Sequence, residues 1–167
     1  KILLASTYEE AEELFDTFED NILGVISDIE FPKGGGLCAD AGVLFAQQVR
    51  QRQADVPVLL NSGKLENEEV ARANATSFLH KYSPTLLSEL DEFMADNFGF
   101  GDFVFRIEDG TEVARAADLL ALEKTIRQVP AESITYHAGR NDFSGWLKAH
   151  TEFEIAHRLR PRRLSDF

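Results

Sequence analysis

From Lys1 to Asn97, short apolar runs alternate with stretches of helical period, and no other feature constrains the fold as much. Lys1–Ser6 reads as a strand. Tyr8–Glu19 carries Ala11, Leu14, Phe15 and Phe18 on one helical face, with Thr7 placed to cap its start. Ile22–Ser27 reads as a second strand, apolar without interruption as in strands buried on both faces. Asp40 can cap a helix running to about Arg52. Val56–Asn61 is a third strand, Glu66–Asn74 a short polar helix and Ser77–Lys81 a fourth strand. Pro84–Asp96 then presents Leu86, Leu87, Leu90, Phe93 and Met94 inward. Strands alternating with helices imply βαβ units, so the expected class is α/β, a parallel sheet with helices on both faces.

After Asn97 the rhythm changes. Phe103–Glu108 and Thr111–Arg115 flank Asp109-Gly110, a two-residue hairpin signal. Asp118 can cap a helix with Leu119, Leu122, Ile126 and Val129 on one side, stopped by Pro130. Residues 132–160 read as helical, broken near Gly139–Ser144. The expected division is therefore 1–97, the α/β part, and 98–167, a small α+β extension of hairpin and helices.

Charge divides along the same boundary. Residues 1–97 carry 18 acidic and 7 basic side chains, whereas residues 98–167 carry 11 and 10. An acidic body repels phosphate backbones, which argues against nucleic acid as a partner of the first part. No apolar run approaches the roughly 18 residues of a membrane span, and no secretory signal opens the chain. The single cysteine, Cys38, cannot form an internal disulfide, so a cytoplasmic location is expected. The chain begins without methionine inside a strand-like run and ends in Leu164-Ser165-Asp166-Phe167; it reads as a fragment.

Chemistry first surfaces in GVISDIEFPKGGG, Gly24 to Gly36, where an apolar run stops at Asp28 and a proline and three glycines follow. In an open parallel sheet, reactive groups collect beyond the carboxyl ends of the strands. Asp28, Ser62 and Lys81 each stand at such an end. Singly, they have plainer explanations as a turn cap, a strand-end polar residue and a solvated charge. Together they are what phosphoryl transfer to aspartate uses. The carboxylate attacks, the hydroxyl donates to a phosphoryl oxygen, and the ammonium offsets developing charge. A loose glycine loop would leave room for the donor.

These residues carry a resemblance. Asp28-Ile29-Glu30-Phe31-Pro32 is similar to the phosphoacceptor segment of response-regulator receiver domains, an aspartate followed four residues on by proline. Pro57-Val58-Leu59-Leu60-Asn61-Ser62-Gly63 resembles the strand ending in their switch hydroxyl. Phe78-Leu79-His80-Lys81 resembles their last strand, with an aromatic three residues before the lysine. The resemblance implies a flavodoxin-like (CheY-like) fold for residues 1–97. It also implies Asp28 as phosphoacceptor in a phosphorelay, with Ser62 and Lys81 assisting and Phe78 as the switch aromatic. A histidine kinase or other phosphodonor is the implied partner, and a second copy of the chain is among the partners it allows.

The sequence departs from the family pattern in places. The paired acidic residues that hold Mg²⁺ at the end of the family's first strand are not found. By spacing, Lys1–Ser6 corresponds to the second strand, so the first strand and helix are expected to be missing. Only Asp28 and the Glu30 backbone carbonyl remain as candidates for Mg²⁺. Lys33–Asp40 is an insertion, and Tyr82 stands where a proline usually follows the lysine.

Residues 98–167, marked by Tyr136-His137, Asn141-Asp142-Phe143 and Trp146-Leu147, resemble an uncharacterised module found in front of phosphoenolpyruvate synthase-like regions. That implies a regulatory role toward a linked catalytic domain. His150, Glu154 and His157 fall on one helical face, half of a di-iron pattern and more simply a solvated, ion-paired face. His137 reads as a buried, hydrogen-bonded histidine, and Phe143 and Trp146 as core. Arg158, Arg160, Arg162 and Arg163 around Pro161 read as a domain boundary or a strip pairing with acidic surface.

Two functions compete. One is a phosphorelay receiver, at most catalysing its own phosphotransfer and no metabolic reaction. The other is a pseudo-receiver, a protein-interaction module that works without phosphorylation.

Overall fold

The computed structural model describes residues 1–160. The chain forms two compact units, Lys1–Phe93 and Met94–Phe167. No helix among the described residues is long and apolar enough to cross a membrane.

The first unit is built on a parallel sheet of β1 (Val25–Asp28), β4 (Val58–Ser62) and β5 (Ser77–His80), in the order β1-β4-β5. Its helices are α1 (Tyr8–Phe18), α2 (Ala41–Arg52), α3 (Glu68–Asn74) and α4 (Leu86–Asn97), the last running past the boundary between units. The mixed α/β class and the parallel pairing expected from the alternation are both present. Val58, Leu60 and Phe78 share a core with Tyr8 and Phe15 of α1, with Ala41, Phe45 and Val49 of α2, and with Ala71 of α3. Thr7 caps α1, its side-chain oxygen accepting from Glu10 N at 3.2 Å. Phe18, expected inward, is at the surface.

The strand buried on both faces is β4, not the strand at Ile22–Ser27. Val58, Leu59 and Leu60 are fully buried, whereas Ile26 of β1 is 47% exposed. Position in the sheet decides this. β4 lies between two neighbours and β1 has one, so an unbroken apolar run did not reveal which strand is central. Lys1–Ser6 is not a strand: a strand exists only as a ladder, and no partner strand pairs with it among the described residues. Ile2 and Leu4 consequently stay exposed. Leu87 also points outward, and Phe93 is the buried residue of α4.

The segment after Asp28 is no loose loop. Phe31–Lys33 (β2) and Gly36–Cys38 (β3) form an antiparallel hairpin, with Lys33 aligned to Gly36 across a two-residue turn. Gly34 and Gly35 fill that turn at φ +63° and +82°, the left-handed pair that tight hairpins require and that glycine adopts without steric cost. The hairpin is tied to α1. Gly34 N donates to Glu9 Oε1 at 2.8 Å, the Lys33 ammonium lies 3.7 Å from the Tyr8 ring centre, and Phe31 stacks on that ring. Asp40 precedes α2 as expected, but its carboxylate accepts from the Cys38 thiol instead of capping the helix.

The second unit pairs β6 (Phe103–Arg106) with β7 (Glu112–Ala116) and adds α5 (Leu119–Ile126), α6 (Ala131–Arg140), α7 (Asp142–Ala149) and α8 (Phe153–Leu159). The ladder closes at Arg106 and Glu112, so the connection is longer than the two residues Asp109-Gly110 suggest. Ile107 N bonds Thr111 O, and Asp109 Oδ1 takes Thr111 N. Asp118 caps α5 through Ala121 N. Phe103, Phe105, Leu122, Trp146 and Leu147 form the core.

His137 is buried among these rings. Its Nε2 accepts from Arg106 N at 2.7 Å and its Nδ1 meets Asp142 Oδ2 at 2.7 Å. Both ring nitrogens are engaged, as a structural histidine requires. The half-site pattern of His150, Glu154 and His157 does not survive on one helix. His150 ends α7, stacked on Trp146 with Nδ1 on the Trp146 carbonyl, and Thr151 at φ +64° turns the chain before α8. Arg162 and Arg163 lie outside the described residues.

Candidate functional site

Asp28 ends β1, Ser62 ends β4, and Lys81 follows β5, so all three stand at the carboxyl rim of the sheet. The ladder places them. Asp28 aligns with Asn61, Ser62 aligns with His80, and Lys81 N donates to Ser62 O at 2.9 Å. β1 and β5 are separated by β4, two strand spacings or about 10 Å. A long side chain is needed to cross that gap. Lys81 crosses it, its Nζ donating to Asp28 Oδ2 at 2.6 Å from 53 residues away in sequence.

Both side chains remain over 40% exposed. An ion pair that open contributes about 0–1 kcal/mol, so stability is a poor explanation for it.

Ser62 shares the rim but not the pair. Successive residues of a strand project to opposite faces, so Ser62 starts from the face opposite Asn61 and its neighbour Asp28. Ser62 is buried, and its Oγ accepts from Lys64 N at 3.0 Å and from Asn67 Nδ2 at 2.9 Å. Phe78, on the Ser62 face by the same alternation, is buried in the core beneath.

Glu30 contributes its carboxylate to Lys64 Nζ at 2.8 Å, a bridge that raises the lysine's pKa chiefly through that hydrogen bond. The rim therefore carries two parallel bridges, Asp28–Lys81 and Glu30–Lys64. Sequence reasoning missed Asn61, Lys64 and Asn67. The polar run Asn61-Ser62-Gly63-Lys64 directly after an apolar strand was the available signal. Asn61 Oδ1 is buried with no hydrogen-bond partner among the described residues.

Tyr82 lies across the end of β4. A Cβ on Gly63 would come within 2.8 Å of its ring, and His80, edge-on to Tyr82, meets the Gly63 carbonyl at 3.2 Å. No described peptide bond is cis. An open cleft of about 320 Å³ beside β5 is lined by Phe78, His80, Tyr82, Arg72 and Glu89; Asp28 and Lys81 do not line it.

For a divalent cation the rim offers the Asp28 carboxylate, and the Glu30 carbonyl stands two residues on. No three His, Cys, Asp or Glu side chains gather among the described residues. Mg²⁺ is commonly held by one or two carboxylates, with water and phosphoryl oxygens completing its shell. The candidate donors on the rim are thus one carboxylate, already bonded by Lys81, and one backbone carbonyl. No family model, curated protein or solved structure matches the chain.

Proposed function

We propose that the first unit is a receiver of phosphoryl groups in signalling, with the CheY-like arrangement of its parallel sheet, and that Asp28 is the acceptor. A carboxylate oxygen of Asp28 attacks the phosphorus of a phosphohistidine or a small acyl phosphate. The bond from phosphorus to the donor's nitrogen or oxygen breaks, its electron pair leaves with the imidazole or carboxylate, and an aspartyl phosphate remains. Lys81 moves from the free carboxylate to a phosphoryl oxygen, offsetting charge where it develops. Ser62 turns its hydroxyl to another such oxygen. Mg²⁺ held by Asp28 and the Glu30 carbonyl would neutralise phosphoryl charge when bound. Hydrolysis returns the carboxylate and inorganic phosphate.

A linked catalytic region of the phosphoenolpyruvate synthase type is the proposed recipient of the signal, with Phe78 reporting the position of Ser62 to the surface. The observation that carries the reading is the 2.6 Å contact between Lys81 and Asp28, made across an intervening strand with little to gain in stability.

A second reading is a protein-interaction module that is never phosphorylated. It is favoured by the Ser62 hydroxyl being held by Lys64 and Asn67. Incubating the full chain with Mg²⁺ and acetyl phosphate separates the two. The receiver gains one base-labile phosphoryl group by intact mass, absent from Asp28→Asn, and the interaction module gains none.

A further inference from the structure

Two donors converge on the Ser62 hydroxyl oxygen, and they differ in kind. Lys64 N belongs to the backbone and cannot be withdrawn without moving the loop. Asn67 Nδ2 belongs to a side chain that has somewhere else to go. Asn67 immediately precedes α3, a position where asparagine commonly turns its carboxamide oxygen onto the free N–H groups of the first turn. Here it does not. Its backbone lies at φ −80°, ψ −8°, closing the short 3-10 turn Leu65–Asn67, and its side chain makes no cap. It donates back to Ser62 instead.

A serine oxygen has two acceptor positions, and both are filled. Rotation of Ser62 toward the Asp28 face must break both bonds at once.

Resting on the phosphoacceptor reading above, we propose that Asn67 is a positioning residue, a latch that holds the Ser62 hydroxyl away from Asp28 and sets how readily the site accepts a phosphoryl group. In the held rotamer both acceptor positions of the hydroxyl oxygen are committed to Lys64 N and Asn67 Nδ2. When Asn67 lets go, its carboxamide oxygen is free to cap α3, so release of Ser62 and tightening of α3 accompany each other. Asn67 touches no reacting atom and acts only through Ser62.

The test is the initial rate at which the full chain is phosphorylated by acetyl phosphate with Mg²⁺, in Asn67→Ala and Asn67→Asp. Alanine removes one neutral hydrogen bond from the held rotamer, and labelling is expected to quicken by about three- to ten-fold. Aspartate cannot donate to Ser62 but accepts the hydroxyl's own proton in a charge-assisted bond, and labelling is expected to slow. A merely structural role moves both variants in one direction. In a Ser62→Ala background neither substitution should alter the rate. A slowing there by Asn67→Asp would mean simple repulsion of the anionic donor. Labelling in wild type that Asn67→Ala leaves unchanged or slows overturns the latch alone. No labelling of wild type overturns the phosphoacceptor reading, and the latch falls with it.

Discussion

Gly42, the second residue of α2, lies directly against the backbone of Asp28. A Cβ at position 42 would stand 2.0 Å from the Asp28 carbonyl oxygen, and Gly42 N already bonds the Ile29 carbonyl at 2.9 Å. Helix and strand end touch without a side chain between them, which fixes where the Asp28 carboxylate leaves the sheet. Gly42→Ala must push α2 off the strand. It is expected to destabilise by about 1–3 kcal/mol, as overpacking does, and to lower phosphorylation of Asp28. Denaturant unfolding checks the first effect and labelling by acetyl phosphate the second. A variant as stable as wild type would contradict the close packing.

The Asp28–Lys81 pair behaves in the opposite manner. Both side chains are well exposed, so Asp28→Asn and Lys81→Met should each change unfolding free energy by no more than about 1 kcal/mol. Lys81→Met should nonetheless reduce labelling strongly, because the charge-neutralising ammonium is gone. A stability loss of several kcal/mol with labelling intact would reassign the pair to a structural role.

The hairpin beside Asp28 carries a pH dependence. The Glu9 carboxyl is held below the usual carboxylate value chiefly because it accepts the Gly34 N–H. A group whose folded pKa is depressed contributes stability above its unfolded value, near 4.5, and loses that contribution as pH falls through the folded value. Amide exchange at Gly34, corrected for its intrinsic rate, should therefore gain relative protection as pH rises from 3 to about 6. Glu9→Ala should abolish that rise. An unchanged profile in the variant would place the anchor elsewhere.

In the second unit, His137 holds a backbone donor inside the core. His137→Ala removes a buried ring and leaves Arg106 N without its acceptor, at a cost of about 2–4 kcal/mol. Trp146, the only tryptophan of the chain and a core neighbour of Phe103, reports that unfolding by its fluorescence. A loss under about 1 kcal/mol would mean that solvent reaches Arg106 N after all.

How far the sequence could be read depended on whether a signal was local. Thr7 and Asp118 cap their helices because a cap needs only a side chain and the N–H three residues on. The strands at Val58 and Ser77, and the α/β alternation, follow from periodicity in the same way. Most of what failed was non-local, although two local signals failed as well: Asp40 accepts from Cys38 instead of capping α2, and Asp109-Gly110 does not close a two-residue hairpin. Among the described residues Lys1–Ser6 has strand composition but no ladder partner, and Ile22–Ser27 has core composition but an edge position, because sheet order is not written in any single run. The proline and glycine stretch after Asp28 looked like a loose loop because the strands of its hairpin are three residues each and its turn is glycine alone.

At the site, the strand ends of Asp28, Ser62 and Lys81 were legible, and so was the rim they share. Which way Ser62 turns was not. That depends on Asn67 Nδ2 and Lys64 N, partners chosen by the path of the loop after β4.

The most direct test of the central claim is chemical trapping. Acyl phosphates are reduced by borohydride to the alcohol, so full-length protein treated with acetyl phosphate and Mg²⁺, then with borohydride, should contain homoserine at position 28 when its peptides are sequenced by mass. Homoserine at another aspartate, or an unmodified Asp28 peptide under conditions that label a control acyl phosphate protein, would contradict the assignment of Asp28 as acceptor.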